Sequence, residues 1–312
     1  MAGNPNIDRL IATTLERYIP RAEDNIFTSK PWLFALTTFG NVETLDGGTI
    51  IRQPLIYRET SNQGPYTGAD VFLTNDDEGH TAADFEWNGY YATIKLNNMD
   101  LRKNSGAPAV LKIVEQEMKR AELSISESLD EMFIGDGVAP NWNGLGNLVS
   151  ATVSLGGIDP TAGGNEWWQS DVTASVGNLT DFDPIREAYL TTSEGNDFVQ
   201  AIVTTQDIYA AVDELFEQRQ RFGDPTMASQ GFETIKFHNA PLFFDRNVEE
   251  GEMFGVNLKY FYLYKLGSAW FKQSDWEEPI NQDVKIKKII LNGQLCISNR
   301  KRQFKLTGIT IP

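Results

Sequence analysis

The sequence predicts an α+β protein built along one long helix. Three observations carry that reading. Residues 107–137 hold a single apolar stripe at helical spacing, residues 49–101 hold two strand-like runs around a long polar loop, and residues 283–312 return to strand.

The helix is the spine. Val110, Val114, Met118, Ala121, Ile125, Leu129 and Met132 recur in steps of four or three, which keeps one helical face. Pro108 suits the first turn, where its missing N–H costs nothing. Gly135 and Gly137 supply the stop. At 1.5 Å per residue the helix would be roughly 40 Å long. Its opposite face is acidic, with Glu115, Glu117, Glu122, Glu127, Asp130 and Glu131 against Lys112, Lys119 and Arg120. Such a helix needs something broad along its stripe.

In chain order, residues 6–19 show a helical pattern through Ile7, Leu10, Ile11, Leu15 and Tyr18 or Ile19, ended by Pro20. A short helix follows Ser29, with Pro31 at its first position and Trp32, Leu33 and Leu36 on its apolar side. This region is either the first helix of a single domain or an arm lying on a neighbouring subunit. Residues 49–59 read as a strand, and Pro54 inside it marks an edge or bulge. The loop after it is rich in Gly, Asp, Asn and Thr. Asp70, Asp76, Asp77, Glu78, Asp84 and Glu86 fall within residues 70–86 with no Lys or Arg among them. The next strand run places Phe85, Trp87 and Tyr91 on one face and Tyr90, Ala92, Ile94 and Leu96 on the other. A loop this long is unusual inside a compact domain, so an excursion that packs elsewhere is expected.

Beyond the spine, Gly144 and Gly146 resemble the start of a dinucleotide fingerprint, but no third glycine follows and no strand precedes, so a tight turn is expected. Trp167 and Trp168 suit packing or an interface better than ligand stacking. Helices at 183–192 and 206–220 alternate with strands at 198–204, 234–237, 241–244 and 258–264, the mark of a second, mixed α/β domain. Near the end, two strand runs flank Asn292–Gly293, a two-residue hairpin signal. Lys285, Lys287, Lys288, Arg300, Lys301, Arg302 and Lys305 form the one basic block, against Asp283 alone. It is either a nucleic-acid patch or, more in keeping with the acidic spine, a partner for acids within or between subunits.

The chain's 312 residues suffice for one sizeable core or two modest ones. Its 43 acidic and 27 basic residues leave a formal charge of -16, which argues against wrapping nucleic acid tightly but not against lying beside packaged DNA. Cys296 is the lone cysteine, so no intramolecular disulfide forms. No apolar run approaches the ~20 residues of a membrane span, and the N-terminus has no hydrophobic signal region, so a soluble cytosolic product is expected.

Signals for chemistry are sparse. His80 and His238 sit in no nucleophile motif, and no phosphate loop or Cys/His metal spacing occurs. A calcium site at Asp76–Glu78 lacks the alternating spacing of oxygen ligands. Asn178–Thr180 is a glycosylation sequon, relevant only to a secreted chain. No catalytic residue, cofactor or metal is expected. A paired-carboxylate hydrolase remains open, since an acidic chain supplies carboxylates.

The layout resembles the major capsid proteins of tailed phages, the Hong-Kong-97-like fold. The features that carry it are the helical N-terminal region, the strand–loop–strand excursion at 48–104 and the spine helix at 107–135. GLGNLV at 144–149, GGIDP at 156–160 and the tryptophan pair at 167–168 follow in order. The resemblance implies an N-terminal arm over residues 1–47, an E-loop over 48–105 and an axial (A) domain over 151–282. The peripheral (P) domain would take 106–150 with 283–312. It implies a structural protein, not an enzyme, that self-assembles into pentamers and hexamers of an icosahedral head around double-stranded DNA. Assembly would take place in the host cytoplasm, with no membrane. With no segment of about a hundred residues before the arm, a separate scaffolding protein is implied, along with a portal and a decoration protein as further partners. No lysine lies between Arg58 and Lys95, so an E-loop lysine crosslink has no donor there. The alternatives are an encapsulin-like nanocompartment shell and, from another class, an acidic hydrolase or sugar-binding domain. Under the shell reading, Asp76, Asp77 and Glu78 are expected to dock near Arg300, Lys301 and Arg302 of an adjacent subunit.

Overall fold

The computed structural model of the chain describes residues 18, 21–68, 70–103, 107–217 and 235–311. The expected helix at 6–19, apart from Tyr18, the end of the helix expected at 206–220, and Thr234 lie outside the described residues. The described strands are β1 (Asn41–Leu45), β2 (Ile51–Ile56), β3 (His80–Phe85), β4 (Asn88–Asn97), β5 (Asp171–Thr173), β6 (Gly177–Asn178), β7 (Ala201–Thr204), β8 (Ile235–Phe237), β9 (Ala240–Phe244), β10 (Met253–Val256), β11 (Phe261–Leu266), β12 (Lys272–Gln273), β13 (Val284–Ile297), β14 (Phe304–Leu306) and β15 (Ile309–Thr310).

The spine helix runs Ala107–Ile134. Val114, Met118, Ala121, Ile125 and Leu129 are buried as the spacing requires. They share one apolar core with Ile94 and Leu96 of β4 and Ile289, Leu291 and Leu295 of β13. At the C-terminal end the buried side rotates: Met132 is half-buried while Phe133 and Ile134 are buried. Asp130 is also buried, against its expected place on the polar face. What the spine packs on is a five-stranded sheet, in which β13 runs antiparallel to both β4 and β11, and β1 lies parallel to β11.

The hairpin expected at Asn292–Gly293 does not form. β13 passes straight through, with Asn292 opposite Gly89 and Gly293 opposite both Asn88 of β4 and Lys265 of β11. Pairing on both edges overrides the local turn signal. The glycine serves a close approach instead: a Cβ there would meet the Tyr264 carbonyl oxygen at 2.6 Å and the Trp142 ring at 3.0 Å.

The run 85–101 is likewise not one strand. Ala83 and Phe85 are buried at odd positions, whereas Ile94 and Leu96 are buried at even ones. Strict alternation cannot serve both, so the chain breaks at Glu86–Trp87 and the two halves join different sheets. β3 pairs with β2, and β4 pairs with β13.

A second core lies under a six-stranded sheet ordered β5–β14–β10–β7–β9–β8. Ile185, Ala188 and Tyr189 of the helix Asp183–Thr192, and Ile208, Tyr209 and Val212 of the helix Gln206–Glu217, pack on it. Pro184 in its first turn and apolar residues at helical spacing place the first of these helices where the sequence does. Strands of this sheet and of the spine sheet are drawn from both sides of residue 282. β11 and β12 pair into the spine sheet, while β14 and β15, from the far C-terminus, pair with β5, β10 and β6. β10, missed in the sequence, is four residues buried throughout, too short for alternation to show.

Candidate assembly surface

β2 and β3 form a two-stranded sheet of their own, with Pro54 opposite Ala82, so the proline-bearing strand is an edge strand. Residues 57–68 and 70–79 leave this sheet as a loop. Its stem is tied by its own residues. Nη2 of Arg58 donates to Asp77 at 2.7 Å and the Ser61 amide to Asp77 at 2.5 Å. Asn62 and Asn75 exchange hydrogen bonds of 2.6 and 2.9 Å. The Ser61 amide and then the Arg58 guanidinium hold the Asp77 carboxyl down at about 2. Tyr57 stacks on Trp167 with ring centroids 5.2 Å apart, which fastens the base of the loop to the body.

The acidic run is partly neutralised from its flanks. Asp77 takes Arg58, and Asp84 takes its cross-strand neighbour Arg52 at 2.8 Å. Asp76 and Glu78 stand exposed. Sequence reasoning missed the tip. Val71 is 95% exposed and Phe72 64%, beside exposed Tyr66 and Leu73, and Phe72 meets Tyr66 edge-on at 5.2 Å. Three consecutive apolar residues in a polar loop were the available signal. A cluster of this kind is energetically poor in water and suits a partner surface.

At the other charged segment, the expected basic turn is not one exposed patch. Arg300 is fully buried. Its Nε donates to the Leu148 carbonyl at 3.0 Å, Nη1 to Val153 at 2.9 Å and Nη2 to Asn147 at 3.0 Å, with the guanidinium over the Trp168 ring. The helical turn Leu145–Leu148 leaves its last carbonyls without helical donors, and Arg300 supplies them. Burial pulls Arg300 down to about 10, so it stays charged at neutral pH. Arg302 pairs with Glu194 and lies 3.8 Å from Asp197, whereas Lys301 is exposed.

The rest of the basic block is also paired at home. Lys288 meets Glu277 at 3.1 Å, Lys305 meets Glu252 at 2.6 Å, Lys285 lies 4.0 Å from Glu278, and buried Lys287 sits over Trp276. Its acids come from the neighbouring loops, not from the spine helix. The two tryptophans divide the packing role: Trp168 is buried with its indole N–H on Leu155, and Trp167 holds Tyr57.

Within the described part of the N-terminal region, the chain packs on its own core. Residues 21–29 and Pro31–Phe39 are helical, and Trp32, Leu33, Ala35 and Leu36 are buried within the chain's own first core. Ser29 bonds Ser126 at 2.8 Å, and Lys30 bonds Glu127 at 2.7 Å. These residues pack within the body of the chain.

Among the described residues no group of three or more His, Cys, Asp or Glu side chains is placed to hold a metal ion. No helix among them is long and apolar enough to cross a membrane. Gly144 and Gly146 make a tight turn against the end of the spine, where a Cβ would meet Gly135 and Asp136.

No family model and no curated protein sequence matches the chain. Solved structures do. A chain of the cyanophage A-1(L) capsid asymmetric unit superposes with a TM-score of 0.71 at 14% identity, over 90% of this chain and 93% of that one. The chain has the Hong-Kong-97-like capsid fold. The capsid of a native GTA particle matches at a TM-score of 0.62 and 9% identity, over 88% of this chain and 90% of its own. The holo-SrpI encapsulin complex of Synechococcus elongatus PCC 7942 matches at 0.53 and 13% identity, over 89% and 87%. At such identities this capsid fold is shared as an arrangement of backbone, with the side chains largely replaced.

Proposed function

We propose that the chain is the major capsid protein of a tailed phage, and that its function is self-assembly into the pentamers and hexamers of an icosahedral head enclosing double-stranded DNA. The observation that carries this is the loop at 57–79, which presents Tyr66, Val71, Phe72 and Leu73 to solvent on a backbone of capsid fold. Burying that tip on the next copy, with the surrounding surface, gives an obligate interface of at least ~2,000 Å² per pair. The loop then serves as the E-loop, the spine helix with its sheet as the P domain, and the six-stranded unit as the A domain. A net charge of -16 lets the shell lie beside packaged DNA without gripping it. A separate scaffolding protein, a portal and a decoration protein are the partners, with assembly in the host cytoplasm.

The acidic contact between neighbours narrows to Asp76 and Glu78 against Lys301, because Asp77, Arg300 and Arg302 already have partners in the chain. A second reading, a nanocompartment shell, is favoured by the encapsulin likeness. Light scattering on the chain expressed with its scaffold should give closed shells, or capsomers and tubes without it. Monomer at every concentration, scaffold included, would refute both shell readings and return the hydrolase or sugar-binding alternative. Packaged nucleic acid against packaged enzyme separates the phage head from the nanocompartment.

A further inference from the structure

Asp130 projects from the spine helix and is fully buried, facing Asp245, which is also buried at the end of β9. Asn247 ties the two side chains together. Nδ2 of Asn247 donates to Asp130 Oδ2 at 2.8 Å, and the Asn247 amide donates to Asp245 Oδ1 at 3.1 Å. Lys30, ahead of the helix Pro31–Phe39, places Nζ 3.7 Å from the same Asp130 oxygen. Three parts of the molecule therefore meet here: the N-terminal helices, the spine and the second sheet.

The other two oxygens, Asp130 Oδ1 and Asp245 Oδ2, are buried and find no donor while both groups are ionised. An ionised carboxylate only accepts, so two of them cannot satisfy each other, whereas one added proton turns one into a donor. The charges around the pair fit one proton. Glu127 faces it from the spine, bound to Lys30 at 2.7 Å and 3.7 Å from Arg246, which adjoins Asp245 in the chain. Asp207 lines the adjoining cavity together with Lys30, Asp245 and Arg246. With the pair singly ionised, it and Glu127 balance Lys30 and Arg246. With both ionised, one buried negative charge has no counterpart. Among the described residues no third carboxylate, His or Cys joins the pair to hold a metal ion, so a proton is the ligand argued for. Burial, then the facing Asp245, pushes Asp130 up to about 8, and burial pushes Asp245 up as well.

We propose that one proton shared by Asp130 and Asp245 clamps the second sheet and the N-terminal helices to the spine helix, and that losing it loosens this joint. Because the folded form holds the proton more tightly than the unfolded chain, the stabilisation is full below the ordinary aspartate value. It is lost progressively as pH rises through about 8.

The test needs only the unassembled full-length chain, so its outcome is independent of whether shells form. Amide hydrogen exchange, corrected for intrinsic base catalysis, is measured at about pH 6 and about pH 9. Protection over residues 127–133 and 244–248 should fall by about tenfold or more, while the pairing of β10 with β14 keeps its protection. Asp130→Asn, whose amide donates to Asp245 at any pH, should abolish the step; if it folds poorly, Asp245→Asn should do the same. Equal protection at both pH values in the wild type, or a step that persists in whichever variant folds, would overturn the clamp.

Discussion

The loop at 57–79 and the turn at 299–303 are both dense in charge, and the fold uses them in opposite ways. The loop spends Asp77 on its own stem and leaves an apolar tip in solvent. The turn sends Arg300 into the interior to close three backbone carbonyls. Charge density thus marks neither segment's role. In the loop the decisive group is apolar and lacks cover; in the turn it is a cation that a set of orphaned carbonyls requires. Assembly should therefore depend on the tip, and subunit stability on the turn.

The largest separation is expected from the tip. Val71→Asp combined with Phe72→Asp should raise the concentration needed for assembly by about 100-fold, as loss of interface anchors does. Urea denaturation of the subunit should shift by no more than about 0.5 kcal/mol. A large loss of subunit stability would mean that the tip is part of the core.

Arg300→Ala should act the other way round. It leaves the carbonyls of Asn147, Leu148 and Val153 without their donor, at a cost of about 4 kcal/mol in subunit stability by denaturation. Arg300→Lys should recover only part of this, because a point charge does not span three acceptors. Wild-type stability in Arg300→Ala would show that the turn is the exposed surface that its sequence suggests.

The same contrast explains how much could be read from the chain. Elements whose signals are local and agree with their packing were legible: the stripe from Val114 to Leu129, the helix opened by Pro184, and the edge strand marked by Pro54. Asn292–Gly293 misled because its turn preference is local while pairing on both edges of β13 is not. Asp130 fits the polar face by period, and only the approach of Asp245 and Asn247, more than a hundred residues away, buries it. Arg300 gave no sign at all, since its partners lie in a turn about 150 residues earlier. The tip was visible as Val71–Leu73 but was masked by the acids around it.

A smaller effect is expected from the charges left exposed. Lys301→Glu should weaken assembly by under ~1 kcal/mol per contact, and added salt should weaken wild-type assembly in the same direction. Combining it with Asp76→Lys and Glu78→Lys should restore part of the loss. Defects that simply add would show that these side chains do not meet between neighbours.

The smallest effect should be covalent. With no lysine between Arg58 and Lys95, and with Cys296 buried, shells boiled in detergent should run as a single band near the 35.0 kDa of the chain. A ladder of multimers would reveal a crosslinking pair elsewhere.

The central claim, that an uncovered loop tip on a capsid fold makes this chain a shell protein, is tested most directly by electron cryomicroscopy of the protein purified after co-expression with the scaffolding protein proposed for it. Closed icosahedral shells are expected, with Val71 and Phe72 of each subunit buried against the next and Arg300 still inside its own. Single subunits, or shells in which the 57–79 loop folds back onto its own chain, would contradict it.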